Sequence, residues 1–247
     1  MLLNNLNRKA LTFWLFGVLC GVGIVYFHRY LDGSGVAASI VTPLGKQNGW
    51  GSFPEEPWVV EGATLARKVV AETPFARFEV HRVKTETGEI INDWLWTDER
   101  SHVNILVHIK DENKYLMFSQ RKYGLKEDKL AVIGGLCNFD KETAEECASR
   151  ELLEETGLEA TELINLGAYR VQVNRGGGIL YAFLAKNSFK SAKAHDRDGE
   201  YEKQTTKKMT SNELIQAALR GEVGEAQWVA TVALGLLSEE HKEHHSP

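Results

Sequence analysis

The stretch GGLCNFDKETAEECASRELLEETGL, Gly134 to Leu158, decides how this chain is read. Thr143 is a good helix N-cap, and Glu146, three residues on, completes a capping box. Gly157 supplies a left-handed stop. The punctuation predicts a helix of about 13 residues between them. At about 100° per residue, Glu151, Glu154 and Glu155 share one face, with Ala144 and Ala148 in the same arc. Crowded carboxylates repel and raise one another's pKa in a dry site, and a hard divalent cation relieves this. The bland reading is a solvated acidic helix. Arg150 stands four residues from both Glu146 and Glu154, placed to orient a carboxylate.

Outward from this helix, strand-like and helix-like stretches alternate irregularly. Phe78–Val83 alternates as a half-buried strand, 85–88 reads as a turn, and Glu89–Trp96 follows. Val103–Ile109 and Tyr115–Ser119 flank a polar turn and read as a hairpin. Leu130–Ile133 runs into Gly134-Gly135, and later strands fall near Ala168–Val173 and Ile179–Leu184. A helix opens at Thr210 or Ser211, with Glu213 as cap partner, and closes at Gly221. Gln227–Leu237 reads as the final helix. The class is α+β, with a mixed sheet.

The chain has 247 residues, 43% hydrophobic and 26% charged, which excludes a wholly disordered protein. A net charge of −5 gives no broad basic face, so nucleic acid is not an expected partner. Cys20, Cys137 and Cys147 show no metal-site spacing and make no disulfide framework.

Ala10–Phe27 carries no charge and is flanked by Arg8 and Lys9 on one side and His28 and Arg29 on the other. Its length suits a membrane-spanning helix of about 27 Å. An uncleaved single-pass anchor is the leading reading, against a cleaved signal or a buried helix. The chain then divides into a short flank (1–9), the apolar segment (10–27), a linker rich in Gly, Ser and Pro (28–57), a folded domain (58–237) and a solvated tail (238–247). Three histidines in that tail offer metal ligands, or simply a solvated terminus.

Arg150 to Leu158, RELLEETGL, resembles the REUxEExGU signature of the Nudix hydrolases at every fixed position, and Glu142 precedes Arg150 by the eight residues the signature requires. The family's leading glycine has five residues before that Glu, whereas six separate Gly135 from Glu142. The resemblance implies a Nudix α/β/α sandwich around a mixed sheet, and hydrolysis of nucleoside diphosphates linked to another group. It assigns Glu151 and Glu155 as Mg²⁺ ligands, with Mn²⁺ as the alternative ion. Glu154 would assist, the Gly134 carbonyl would add a ligand, and Glu142 would pair with Arg150 to orient the site.

Beyond this box, the chain looks most like the ADP-ribose and ADP-sugar pyrophosphatases. Thr87-Gly88-Glu89 followed by Trp94 resembles their early hairpin, whose aromatic stacks on adenine; core or interface packing is the other reading of Trp94 and Trp96. Gln120-Arg121-Lys122-Tyr123 resembles their phosphate-binding Gln-x-Arg, so Lys122 or Arg121 is the expected phosphate contact. Ala131 and Ile133 stand where many ADP-ribose enzymes have Glu and Pro. The acidic run 196–202 occupies the place of the family's general-base loop and makes Glu200 and Glu202 the candidates. The expected activity is cleavage of an ADP-sugar to AMP and a sugar phosphate. The runners-up are another nucleotide-linked substrate (GDP-mannose, NADH or a coenzyme A derivative) and a catalytically silent, membrane-tethered binding module. A homodimer is expected from the resemblance alone.

Overall fold

The fold is described from a computed structural model over residues 58–193 and 204–245, without the side chains of 242–245. Eleven strands form one mixed sheet. They are β1 (Thr64–Glu72), β2 (Ala76–Lys84), β3 (Ile90–Glu99), β4 (His102–Ile109), β5 (Lys114–Gln120), β6 (Lys129–Ala131), β7 (Ile133–Leu136), β8 (Leu158–Glu159), β9 (Glu162–Gln172), β10 (Gly176–Lys190) and β11 (Gln204–Met209). Three helices accompany them: α1 (Ala144–Thr156), α2 (Ser211–Leu219) and α3 (Ala226–His245). The main strand order is β1-β2-β3-β10-β4-β5-β11, with β6 and β7 pairing β5 and β4, and β8 and β9 pairing β10. This is the α+β class with the mixed sheet that the sequence implied.

Strand β10 is the spine. It runs parallel to β4 and antiparallel to β9. A strand covered on both faces loses the polar alternation of a half-exposed one. Ala182, Phe183, Leu184 and Ala185 are accordingly all fully buried. Helix α1 packs on β7 and β4, while α3 packs on β4, β9 and β10. The core joins Val103, Ile105, Leu106 and Phe118 of the sheet to Leu152 of α1 and Leu214 of α2.

The β1–β3 end holds a buried polar network. Glu79, fully buried, lies 2.9 Å from the Arg77 guanidinium, 3.2 Å from that of Arg67 and 2.7 Å from His81 Nε2. Arg77 also bonds Asp98 at 2.7 Å, and Asp98 accepts from the Trp96 indole N–H. A buried carboxylate is tolerated when its oxygens are matched by donors in this way.

Two sequence expectations need correction. The stretch 130–133 is two strands, β6 and β7, rather than one running through Val132. Helix α3 does not stop at Leu237 but continues through residues 238–245. The reason is packing: Glu239 accepts from the Tyr115 hydroxyl and pairs with Lys186 at 3.3 Å, anchoring an extra two turns. Cys137 and Cys147 are joined by a disulfide, a single staple that the sequence reading did not identify. The expected span 10–27 lies outside the described residues, and among those described no helix is long and apolar enough to cross a membrane.

Candidate active site

Helix α1 forms as its punctuation dictates. Thr143 Oγ1 accepts from the Glu146 N–H while Glu146 accepts from the Thr143 N–H, and Gly157 takes a left-handed φ of 67°. Ala144, Cys147, Ala148 and Leu152 are buried, and Glu151 and Glu155, on the face of Ala144 and Ala148, reach Gly135 and Gly134 of β7, while Arg150 reaches Leu136 and Glu142.

Arg150 organises this surface. Its Nε and Nη2 donate to the two oxygens of Glu142, each at 2.9 Å, the parallel geometry that a guanidinium fork makes best. Its Nη1 donates to Glu151 at 2.8 Å and to Glu154 at 2.9 Å, and its Nη2 also reaches the Leu136 carbonyl at 3.2 Å. Arg150 therefore holds both the helix carboxylates and the loop. The Arg150 hydrogen bonds keep the Glu142 carboxyl below the ordinary carboxylate range, helped by the Asn138 N–H at 2.9 Å. The Glu142 pairing in turn pushes the Arg150 guanidinium further up than usual.

Glu151 is held differently. Burial pushes its carboxyl up, against the downward pull of Arg150. Its carboxylate lies directly over Gly135, where a Cβ would overlap it, and only a glycine permits this approach. A Cβ at the neighbouring Gly134 would overlap the Val103 carbonyl. The Gly134 N–H donates to Glu155 Oε2 at 3.4 Å. Two carboxylates one helical turn apart thus meet the Gly134-Gly135 pair of β7. Glu154 is more exposed, at 59%.

The disulfide closes the same loop. Cys137 follows β7 and Cys147 lies in the first half of α1, so the bridge encloses Glu142 and ties the loop to the helix. Cys147 Sγ lies 3.6 Å from Arg150 Nη2.

Beside the box lies a cleft lined by His102, Asn104, Gln120, Lys122, Val132, Gly134, Gly135, Leu136, Glu155 and Trp228. The structure thereby separates the two phosphate candidates. Lys122 faces the cleft, whereas Arg121 is exposed and paired with Asp128 at 3.1 Å. Trp94, half-buried on β3, is not among the cleft residues; the Arg175 guanidinium lies over its ring at 5.4 Å. Trp96 is a core residue, stacked on Trp58 at 5.6 Å. Glu200 and Glu202 lie outside the described residues.

Sequence reading passed over His102, Asn104 and Trp228. A signal was present: in the otherwise apolar run 103–107, Asn104 breaks the pattern two residues after His102, placing two polar groups on one face of a covered strand.

Among the described residues, no three His, Cys, Asp or Glu side chains already converge as a metal cage, since Arg150 draws Glu142, Glu151 and Glu154 toward itself. The donor set nevertheless fits a hard cation. Glu151 is a largely buried carboxylate on Gly135, and Glu155, one turn on along the same helix face, meets the adjacent Gly134.

Comparison with known proteins agrees with this geometry. The crystal structure of an ADP compounds hydrolase shares the fold, with a TM-score of 0.61 at 18% identity, covering 77% of this chain and 99% of that one. No curated protein matches the sequence. The model of the NUDIX domain matches residues 99–246, most of the chain, and covers the box, its cleft and all three helices. The chain belongs to the NUDIX domain family.

Proposed function

We propose that this Nudix pyrophosphatase hydrolyses the diphosphate of a nucleoside diphosphate sugar, ADP-ribose or another ADP-sugar, to AMP and a sugar phosphate. The observation that carries the reading is the complete box. Glu142 and Arg150 are locked together, and Glu151 and Glu155 meet Gly135 and Gly134 from one face of α1, beside a cleft that Glu155 lines together with Lys122. The fold shared with an ADP compounds hydrolase supports the adenine nucleotide.

Glu151 and Glu155, assisted by Glu154 and the Gly134 carbonyl, would hold Mg²⁺ or Mn²⁺. Once bound, such an ion neutralises the diphosphate and lowers the pKa of an attacking water. The chain's own residues do the rest. Lys122 offers a cation to a phosphate oxygen. Arg150 orients Glu151 and Glu154 through its hydrogen bonds, and Glu142 fixes the rotamer of Arg150. Glu200 and Glu202 remain the proposed general bases, and Trp94 the proposed adenine platform, on family resemblance.

Two further proposals rest on the sequence. Ala10–Phe27 anchors the protein in a membrane, and the protein pairs as a homodimer. The second gains support from Phe78 and Leu95, large apolar side chains exposed at 39% and 46% on adjacent strands.

The test uses the full chain with Mg²⁺ and ADP-ribose, ADP-glucose, GDP-mannose, UDP-glucose, NADH and coenzyme A, scoring released phosphomonoester. Selective turnover of an ADP-sugar, lowered at least about 100-fold by Glu151→Gln, is the expected result. Ligand binding without turnover of any compound would instead identify a silent binding module.

A further inference from the structure

The floor of the cleft is unlike its mouth. His102 and Asn104 are two residues apart on β4, so their side chains leave the same face of the strand, and Gln120 ends the neighbouring strand β5. Asn104 and Gln120 are each only 4% exposed. Yet Asn104 Nδ2 and Gln120 Oε1 have no hydrogen-bond partner in the protein. Buried polar groups are nearly always paired, and an orphan donor and an orphan acceptor in one cleft call for a ligand that supplies both roles.

The third member, His102, is fixed by its neighbours. Its Nε2 lies 2.8 Å from Gln227 Oε1, and Gln227 Nε2 donates to Glu225 Oε1 at 2.9 Å. Gln227 thus turns its amide N–H toward Glu225 and its oxygen toward His102. That oxygen only accepts, so His102 Nε2 donates to it, and Nδ1 is the ring nitrogen that Gln227 does not engage.

A phosphate, which only accepts, cannot satisfy the Gln120 amide oxygen. A nucleobase needs an apolar platform, and among the described residues lining the cleft Trp228, itself 9% exposed, is the lone aromatic apart from His102. Sugar hydroxyls donate and accept at each oxygen, and they match the floor. Since Gly134, Gly135 and Glu155 line the same cleft, such a sugar would lie next to the diphosphate. We propose that His102, Asn104 and Gln120 are specificity-determining residues that hydrogen-bond the hydroxyls of the substrate's terminal sugar, with His102 held in its Nε2–H form by Gln227 and Glu225. This rests on the function proposed above and identifies the residues that would select the sugar.

The experiment measures binding of α,β-methylene-ADP-ribose and α,β-methylene-ADP to the full chain with Mg²⁺, by calorimetry, so that turnover plays no part. The wild type is expected to favour the sugar-bearing compound. Asn104→Leu and Gln120→Leu should remove about tenfold or more of that preference, the range of one or two hydrogen bonds. Affinity for α,β-methylene-ADP should stay within about twofold, since only the terminal sugar has lost a partner. Neither variant should lower the melting temperature, because each replaces an unpaired buried amide with an apolar group. Equal losses for both ligands, a lower melting temperature with binding unchanged, or a wild type with no preference would each overturn the proposal.

A second measurement needs no ligand. The ¹⁵N imidazole spectrum should show His102 protonated at Nε2, with both tautomers present in Gln227→Ala. An Nδ1–H ring in the wild type overturns the assignment. Failure of the pyrophosphatase reading would look different, as absent phosphomonoester release alongside intact analogue binding.

Discussion

The carboxylate of Glu151 rests on the bare Cα of Gly135, in space that any side chain at that position would occupy. Gly135→Ala must therefore push Glu151 away from the loop while leaving its charge intact. Expected is a 10- to 100-fold loss of Mg²⁺ affinity or activity, about what removal of a supporting contact costs a metal site. Circular dichroism should remain native. Activity titrated against Mg²⁺ checks it, and a variant with wild-type metal dependence would refute the placement of Glu151.

Glu142 links the site to acid stability. Its folded pKa is depressed, mainly by Arg150, below an unfolded value of about 4.3. Its contribution is therefore fully present above the unfolded value and is lost as pH falls through the folded one. Thermal melts from pH 7 to pH 3 should show wild type more stable than Glu142→Gln near neutrality, with the gap closing in acid. A gap that widens in acid would contradict the ion pair.

Lys122 and Arg121 are adjacent cations with opposite surroundings. Lys122→Ala should raise KM about 10-fold or more, the worth of one charge-assisted hydrogen bond to a phosphate. Arg121→Ala removes only an exposed pair with Asp128 and should change neither KM nor stability beyond about 0.5 kcal/mol. Steady-state kinetics of both variants decide, and the reverse ranking would exchange their roles.

The Cys137–Cys147 bridge closes a short loop, with a sequence separation of 10. Chain-entropy reasoning gives it about 2–3 kcal/mol. Denaturant unfolding with and without reductant should show a loss of this size in wild type and no response in the Cys137→Ser/Cys147→Ser double variant. The reductant should also weaken Mg²⁺-dependent turnover, because the bridge encloses Glu142.

Glu79→Ala leaves Arg67, Arg77 and His81 facing an empty buried site, so it should destabilise by about 3–5 kcal/mol. Activity per folded molecule should be unchanged, because this network lies on β1 and β2 rather than in the box. Chemical denaturation paired with specific activity separates the two effects.

The parts legible in the sequence were those encoded locally. Thr143, Glu146 and Gly157 delimit α1 by backbone chemistry within a few residues, and the box motif lies within the same segment. Two of the strands that escaped notice, β1 and β11, stand at the two ends of the main strand order. Edge strands are exposed, and TLARKVVAE and QTTKKM accordingly lack the alternation by which a half-buried strand is recognised. Long-range geometry was equally hidden. Nothing in the spacing of Cys137 and Cys147 reveals that the loop folds back on the first half of α1. Nor could the run Gln120 to Tyr123 show that Lys122 turns into the cleft while Arg121 turns to Asp128.

The central position of β10 sets the order in which the molecule can assemble. β4 and β10 are parallel neighbours separated by the whole catalytic box in the chain, and such pairings close late because a long loop must be immobilised first. During synthesis α1 leaves the ribosome before its sheet has a spine. Helix α1 can pack on β7 and β4 as soon as it is made, but β4 lacks its parallel neighbour until residues 176–190 follow. The box is the most locally encoded element of the fold, yet the strand beneath it stays open along one edge until β10 arrives, and that interval is when the nascent sheet is most exposed.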